Sequence, residues 1–241
     1  MPEQGSDGVP TVRIDERFRG PPESGNGGYV AGLLARALGG SDIEVTLRVP
    51  PPLGRALELR IADSEAELGD GDELIASAIR AAVEIVPPPP PTLAAARASS
   101  RGFTGFAKHF FPGCFVCGPE RSTGDGLCIF PGPVEGANGV VSSEWIATPD
   151  LSEQQDRVAP EFIWASLDCP GYFAVQQAAG LAVLGRLAVR LIADVPVGKP
   201  LIVTGWGIES AGRKHKVGTA LYDEAGQALA VAVATWISLK R

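Results

Sequence analysis

The chain has 241 residues, 45% of them hydrophobic and 20% charged, enough apolar material for one large core or two smaller ones. Its formal net charge of −7 and one short basic run, GRKHK at 212–216, exclude a nucleic-acid surface, which needs clustered Lys and Arg. No apolar run reaches the roughly 18 residues of a membrane span. The first twenty residues are polar and lack the apolar stretch of a secretory leader, so no membrane partner and a cytoplasmic location are expected.

In chain order, the first strong element is a helix over 26–38 within ESGNGGYVAGLLARAL, opening on Gly27 and Gly28. Glycine starts a helix poorly unless something must approach the backbone there. Next comes IEVTLRVPPPLGRALELR, read as strand, proline-glycine turn, strand, and then DELIASAIRAAVEI after a turn at DGDE, 70–73. Five consecutive prolines in VPPPPPTLAAARASSRG, 86–102, cannot join a sheet and mark a linker.

Beyond it the same order repeats. PEFIWASLDCPGYFAVQQ reads as helix, LAVRLIADVPVGKPLIVT as strand, turn, strand, and a hairpin closes at Asp223–Gly226. The units are 1–85, a Pro- and Ala-rich linker at 86–108, and 109–241. Each sets an apolar helix before an antiparallel strand set, an α+β pattern in which the helix covers the sheet.

Three stretches carry a family resemblance. GNGGYVAGLL is similar to the His-Gly-Gly opening of the central helix in hotdog-fold thioesterases, with Asn26 in place of histidine. CFVCGPERSTGDGLCIF, 114–130, resembles their Cys-Gly, Gly-Leu loop and strand, and WASLDCPGYF, 164–173, resembles the helical stretch that bears their acid. The resemblance implies a tandem (double) hotdog, each long helix wrapped by a curved antiparallel sheet, with the two sheets paired side by side.

The halves differ in a complementary way. In the family the acid follows the histidine position by about nine residues; from Asn26 that reaches Ala35, and back from Asp168 it reaches Ala159, followed by Pro160 and Glu161 instead of glycines. The first half keeps the glycines and the second keeps the acid. The resemblance thus implies one thioesterase site between the halves, hydrolysing an acyl thioester such as acyl-CoA with no cofactor.

In that site the free amides at the start of a helix, Gly27 or Gly28, stabilise the oxyanion. Asn26 adds a side-chain donor or caps the helix. Asp168 acts as general base or as nucleophile, in an apolar wall of Phe162, Trp164, Leu167, Tyr172 and Phe173 that raises its pKa. Arg213, Lys214 and Lys216 could meet coenzyme A phosphates, or form a solvated hairpin end.

Structural alternatives stand beside these roles. The glycines serve close helix packing, and Asp168 caps a helix that restarts at Pro170. Cys114 and Cys117 form a C-x-x-C, with Cys128 and His109 nearby, but no second paired motif completes a zinc site, so no metal is expected. A binding module that holds acyl-CoA in the same groove without hydrolysing it is the alternative function. Exposed sheet edges leave room for a homodimer.

Overall fold

The computed structural model describes residues 3–4, 10–154 and 156–240. Two strands, β1 (Glu3–Gln4) and β2 (Pro10–Arg13), precede helix α1 (Gly27–Leu38). Asn26 caps α1 with extended backbone, its side chain accepting from the Tyr29 N–H, and the helix ends at Gly39, whose φ of 71° a residue with a Cβ would resist. Strands β3 (Asp42–Leu47), β4 (Ala56–Ile61), β5 (Glu65–Asp70) and β6 (Glu73–Arg80) follow. The DGDE turn joins the last two, as the sequence indicates.

The proline-rich stretch is not extended throughout. Thr92 caps helix α2 (Leu93–Arg101) through the Ala95 N–H. The helix docks on β8 (Val140–Ile146), with Arg97 paired to Glu144 at 2.6 Å and Ser100 bonded to Ser143 at 3.1 Å. Two-residue β7 (Gly132–Pro133) precedes β8, and the short pair β9 (Ser152–Gln154) and β10 (Arg157–Val158) follows it. The second helical stretch is broken in two, α3 (Pro160–Ser166) and α4 (Cys169–Ala179). Pro170 has no N–H to continue the ladder, so the chain turns at Leu167 and Asp168.

Strands β11 (Ala182–Leu191), β12 (Pro200–Ala211), β13 (Lys214–Tyr222) and β14 (Ala228–Ser238) complete one twelve-stranded antiparallel sheet. Its order is β1-β2-β4-β5-β6-β3-β11-β14-β13-β12-β8-β7. From either edge inward the connectivity is the same: two strands that precede a helix, then the second, third, fourth and first of the four strands that follow it. The two runs meet where β3 pairs with β11, from Asp42↔Arg190 to Thr46↔Arg186, and an ion pair of 2.6 Å joins Arg190 to Asp42 across that seam.

The α1 helix packs on β3, β5 and β6, α4 packs on β12, β13 and β14, and α1 crosses α3. The main apolar core lies between α1, α3, α4 and the sheet, including an aromatic group in which Phe18 stacks on Tyr29 at 4.2 Å and both lie near Phe162, and a smaller separate cluster of Ala96, Ile202, Ala220, Tyr222 and Val231 lies beneath α2. Among the described residues no helix is long and apolar enough to cross a membrane.

Candidate active site

A helix begins with four amides that have no intrahelical acceptor, and in α1 each has a distinct fate. The Asn26 N–H donates to the Phe18 carbonyl at 2.7 Å, and the Tyr29 N–H to Asn26 Oδ1 at 2.9 Å. The Gly28 N–H donates to Asp168 Oδ2 at 3.1 Å. The Gly27 N–H has no acceptor among the described residues, and Gly27 lies on the wall of a cavity.

Asp168 reaches this point because of the break between α3 and α4. It occupies the cap position of α4, yet its side chain makes no cap hydrogen bond there. Instead the carboxylate turns toward α1, where Asn26 Nδ2 donates to Oδ2 at 2.9 Å beside the Gly28 N–H. Its second oxygen, Oδ1, is buried with no partner among the described residues. Such an atom is costly unless something arrives to bond it.

Burial pushes the Asp168 carboxyl up, and the neighbouring Cys114 adds to the rise; the Gly28 and Asn26 hydrogen bonds pull it back, leaving it at about 7. Asn26 caps α1 with its oxygen, one of the two roles the sequence offers it, while its nitrogen goes to the Asp168 carboxylate, a partner the sequence reading does not name.

The two glycine amides are not equivalent. Gly28 is committed to the acid, and a Cβ there would sit 2.6 Å from Asp168 Cβ and 2.9 Å from the Trp164 carbonyl oxygen. Close packing is thus a real part of its role. One turn on, a Cβ at Gly32 would meet Glu161 Cα at 2.5 Å, and the next turn brings Arg36 to Glu161 in a two-point ion pair at 2.8 and 3.0 Å. The two helical stretches run antiparallel, with Asp168 at one end of the contact and Glu161 at the other.

A sulfur cluster that joins the C-x-x-C pair to a third cysteine, Cys169, lies beside the acid. Sγ atoms of Cys114, Cys117 and Cys169 all lie within 4.8 Å of one another, with Cys114 and Cys169 at 3.9 Å. His109 Nε2 is 3.3 Å from Cys117 Sγ, while its Nδ1 accepts the Phe111 N–H at 3.0 Å. Hydrogen bonds from the Cys117 and Cys169 thiols hold Cys114 well below the ordinary thiol range, and Cys169 is raised in return. Cys128, close to the C-x-x-C in sequence, lies apart and half-buried, 3.8 Å from the Arg121 carbonyl oxygen.

Asn26, Gly27, Asp168 and the three clustered cysteines all line a cavity of about 490 Å³. Leu47, Val49, Phe111, Tyr172, Leu184 and Trp236 supply apolar wall. Arg213, Lys214 and Lys216 stand exposed at the start of β13 and do not line it; Arg213 donates to the Ser238 carbonyl at 3.3 Å. Arg48, which no motif singles out, does line the wall. His215 is buried between Ser210 and Ser238, bonded to each hydroxyl at 2.9 Å.

Solved structures share this architecture from end to end. A protein from Thermobifida fusca named a thioesterase II aligns over 100% of this chain and 97% of its own, with a TM-score of 0.66 at 14% identity. A thioesterase-named protein of Novosphingobium aromaticivorans aligns over 96% of both chains, at 0.62 and 12%. The chain has the hotdog thioesterase-like fold. A tesB protein of Mycobacterium avium subsp. paratuberculosis aligns over 96% of this hotdog chain and 93% of its own, at 0.60 and 13%. No family model and no curated protein sequence matches.

Proposed function

We propose that this hotdog protein is a tandem of two units, 1–85 and 109–241 joined by 86–108, and that it hydrolyses an acyl-CoA thioester at one site between them. The observation that carries the reading is the carboxylate of Asp168 held by Asn26 and Gly28 from the other half of the chain, with Oδ1 left unpartnered. A carboxylate fixed through one oxygen and unpartnered at the other can take a proton from a water admitted beside it.

The Gly27 N–H, rather than that of Gly28, is the amide left to receive the carbonyl oxygen, at the positive end of α1. Water deprotonated by Asp168 Oδ1 attacks the carbonyl carbon, negative charge gathers on the oxygen facing Gly27, and collapse expels the thiolate. That thiolate, or its solvent, recovers the proton. The apolar wall accepts the acyl group. For the phosphate end of coenzyme A, Arg48 is better placed than Arg213, Lys214 and Lys216, which stand off the wall.

The test is thiol release from a panel of straight-chain and aromatic acyl-CoAs, with wild type and Asp168→Asn. Wild type should release coenzyme A, and the substitution should lower the rate about 10²–10⁴-fold, the usual worth of a general base. Binding without release by wild type would replace this reading with the non-catalytic acyl-CoA module. Undiminished release by Asp168→Asn would remove the acid from the mechanism.

A further inference from the structure

The sulfur cluster has a geometry that thiol packing does not require. A tetrahedral zinc ion holds its sulfurs at about 2.3 Å, which sets neighbouring sulfurs roughly 3.8 Å apart. Cys114 and Cys169 are 3.9 Å apart, and Cys117 lies within 4.8 Å of both. We propose that Cys114, Cys117 and Cys169 form a three-sulfur site for a zinc-class divalent cation, its fourth position facing the cavity.

The turn that carries Cys114 and Cys117 is tight and has a donor at its first sulfur. Asn26 Nδ2 stands 3.9 Å from Cys114 Sγ. Gly118 N–H closes the turn on the Cys114 carbonyl at 2.9 Å, and a Cβ at Gly118 would lie 2.4 Å from the Pro112 carbonyl oxygen. Only glycine lets the chain fold back so tightly. Donors aimed at sulfur stabilise the charge that a thiolate ligand retains.

The third sulfur arrives from α4, which explains why the C-x-x-C pattern looks incomplete in the sequence. Cys169 follows Asp168 directly, so the helix break that delivers the acid delivers the ligand as well. His109 is a supporting group, not a ligand. Its Nδ1 accepts a backbone N–H, which places the ring proton on Nε2, directed at Cys117 Sγ. Binding releases the protons of the three thiols, and all three residues line the cavity, which gives the ion its entry path.

Soft thiolates at this separation favour zinc-class ions over magnesium or calcium. The site is defined without reference to thioester hydrolysis, so its tests use no substrate.

Metal-free full-length protein, kept reduced, is titrated with Co²⁺ and followed in the near-ultraviolet. One equivalent should raise a sulfur-to-cobalt charge-transfer band that Zn²⁺ abolishes by displacement. Cys117→Ser should lose the band and Cys128→Ser should keep it. No band in wild type, a band retained by Cys117→Ser, or one lost in Cys128→Ser would overturn the site. Should Cys117→Ser fail to fold, X-ray absorption of zinc-loaded wild type decides: three sulfurs at about 2.3 Å support the site, and a shell of oxygen and nitrogen alone rejects it.

Discussion

Gly28→Ala and Gly32→Ala separate packing from chemistry. Both glycines lie on the α1 face that meets the second helical stretch, one turn apart. The methyl group added at Gly28 would fall 2.6 Å from Asp168 Cβ, 2.9 Å from the Trp164 oxygen and 3.0 Å from Ala165 Cα; the one added at Gly32 would fall 2.5 Å from Glu161 Cα and 2.8 Å from Trp164 Cβ. Carbon atoms settle at about 3.5–4.0 Å, so in each case backbone must give way by close to 1 Å. Overpacking of this kind costs about 1–3 kcal/mol, offset by up to about 1 kcal/mol from alanine's helix preference.

The two variants should therefore melt lower by similar amounts, about 2–4 °C per kcal/mol at this chain length. They should part in the rate. Gly28 carries the amide that holds Asp168 and contacts its Cβ directly, whereas Gly32 touches Glu161 and Trp164. A 1 Å displacement of a catalytic group costs about 10²-fold, so Gly28→Ala should lose about that factor in kcat and Gly32→Ala much less. Melting by calorimetry and thiol release on the same preparations give both numbers. Equal rate losses at equal stability losses would reduce the glycines to packing and remove the special role of Gly28.

Asn26→Ala removes the cap of α1 and a donor to Asp168 together, so stability should fall by about 0.5–2 kcal/mol in denaturant melts while acyl-CoA hydrolysis falls further than the stability loss explains. Arg36→Met leaves Glu161, whose side chain is 10% exposed, without its two-point ion pair. The expected cost is about 1.5–3 kcal/mol, toward the lower end because Arg36 itself is 31% exposed. Glu161→Gln should cost less, since an amide needs no counter-charge. At Asp42, partial burial pushes the carboxyl up, but hydrogen bonds from Arg190, the Val83 N–H and Ser41 outweigh it and hold the group below its ordinary range. The stability it contributes is present above the unfolded value of about 3.9 and lost as pH falls through the lower folded value. The melting-temperature gap between wild type and Asp42→Asn should thus stay open at neutral pH and close in acid; a gap that widened in acid would reverse the assignment.

Much of this fold is legible because its signals are local. Alternation and glycine turns mark β3 to β6 and β11 to β14, and Asn26 marks the start of α1 through the same oxygen that caps it. The partnership of Asn26, Gly28 and Asp168 is readable only through the complementary differences between halves, since no local pattern joins residues so far apart. What stays hidden depends on tertiary approach. Cys169 carries no paired motif of its own, and it enters the cysteine cluster because Pro170 breaks the helix beneath it. Arg48 reaches the cavity from the loop after β3, where a lone arginine among prolines reads as solvated. The basic run 212–216 draws notice by composition, yet strand pairing sets it on the edge of a hairpin, away from the wall.

The two ends of the helix contact explain why one site is proposed in a sheet whose connectivity repeats from both edges. At one end α1 begins with amides that nothing in α1 can satisfy, and an acid from the other half answers one and leaves the next open. At the other end α3 begins with Pro160, which has no amide to offer, and Glu161, already paired to Arg36. A second cavity of about 540 Å³ does open there, beside Pro160 and Ile163, in the place that repetition of the fold would assign it. Its charged wall residues Arg157 and Asp194 pair with each other at 2.8 Å in solvent, and Ala35 stands where the resemblance would look for an acid. An oxyanion there would find no free helix amide at the position of Gly27, and the buried carboxylate of Glu161 already has both oxygens on Arg36.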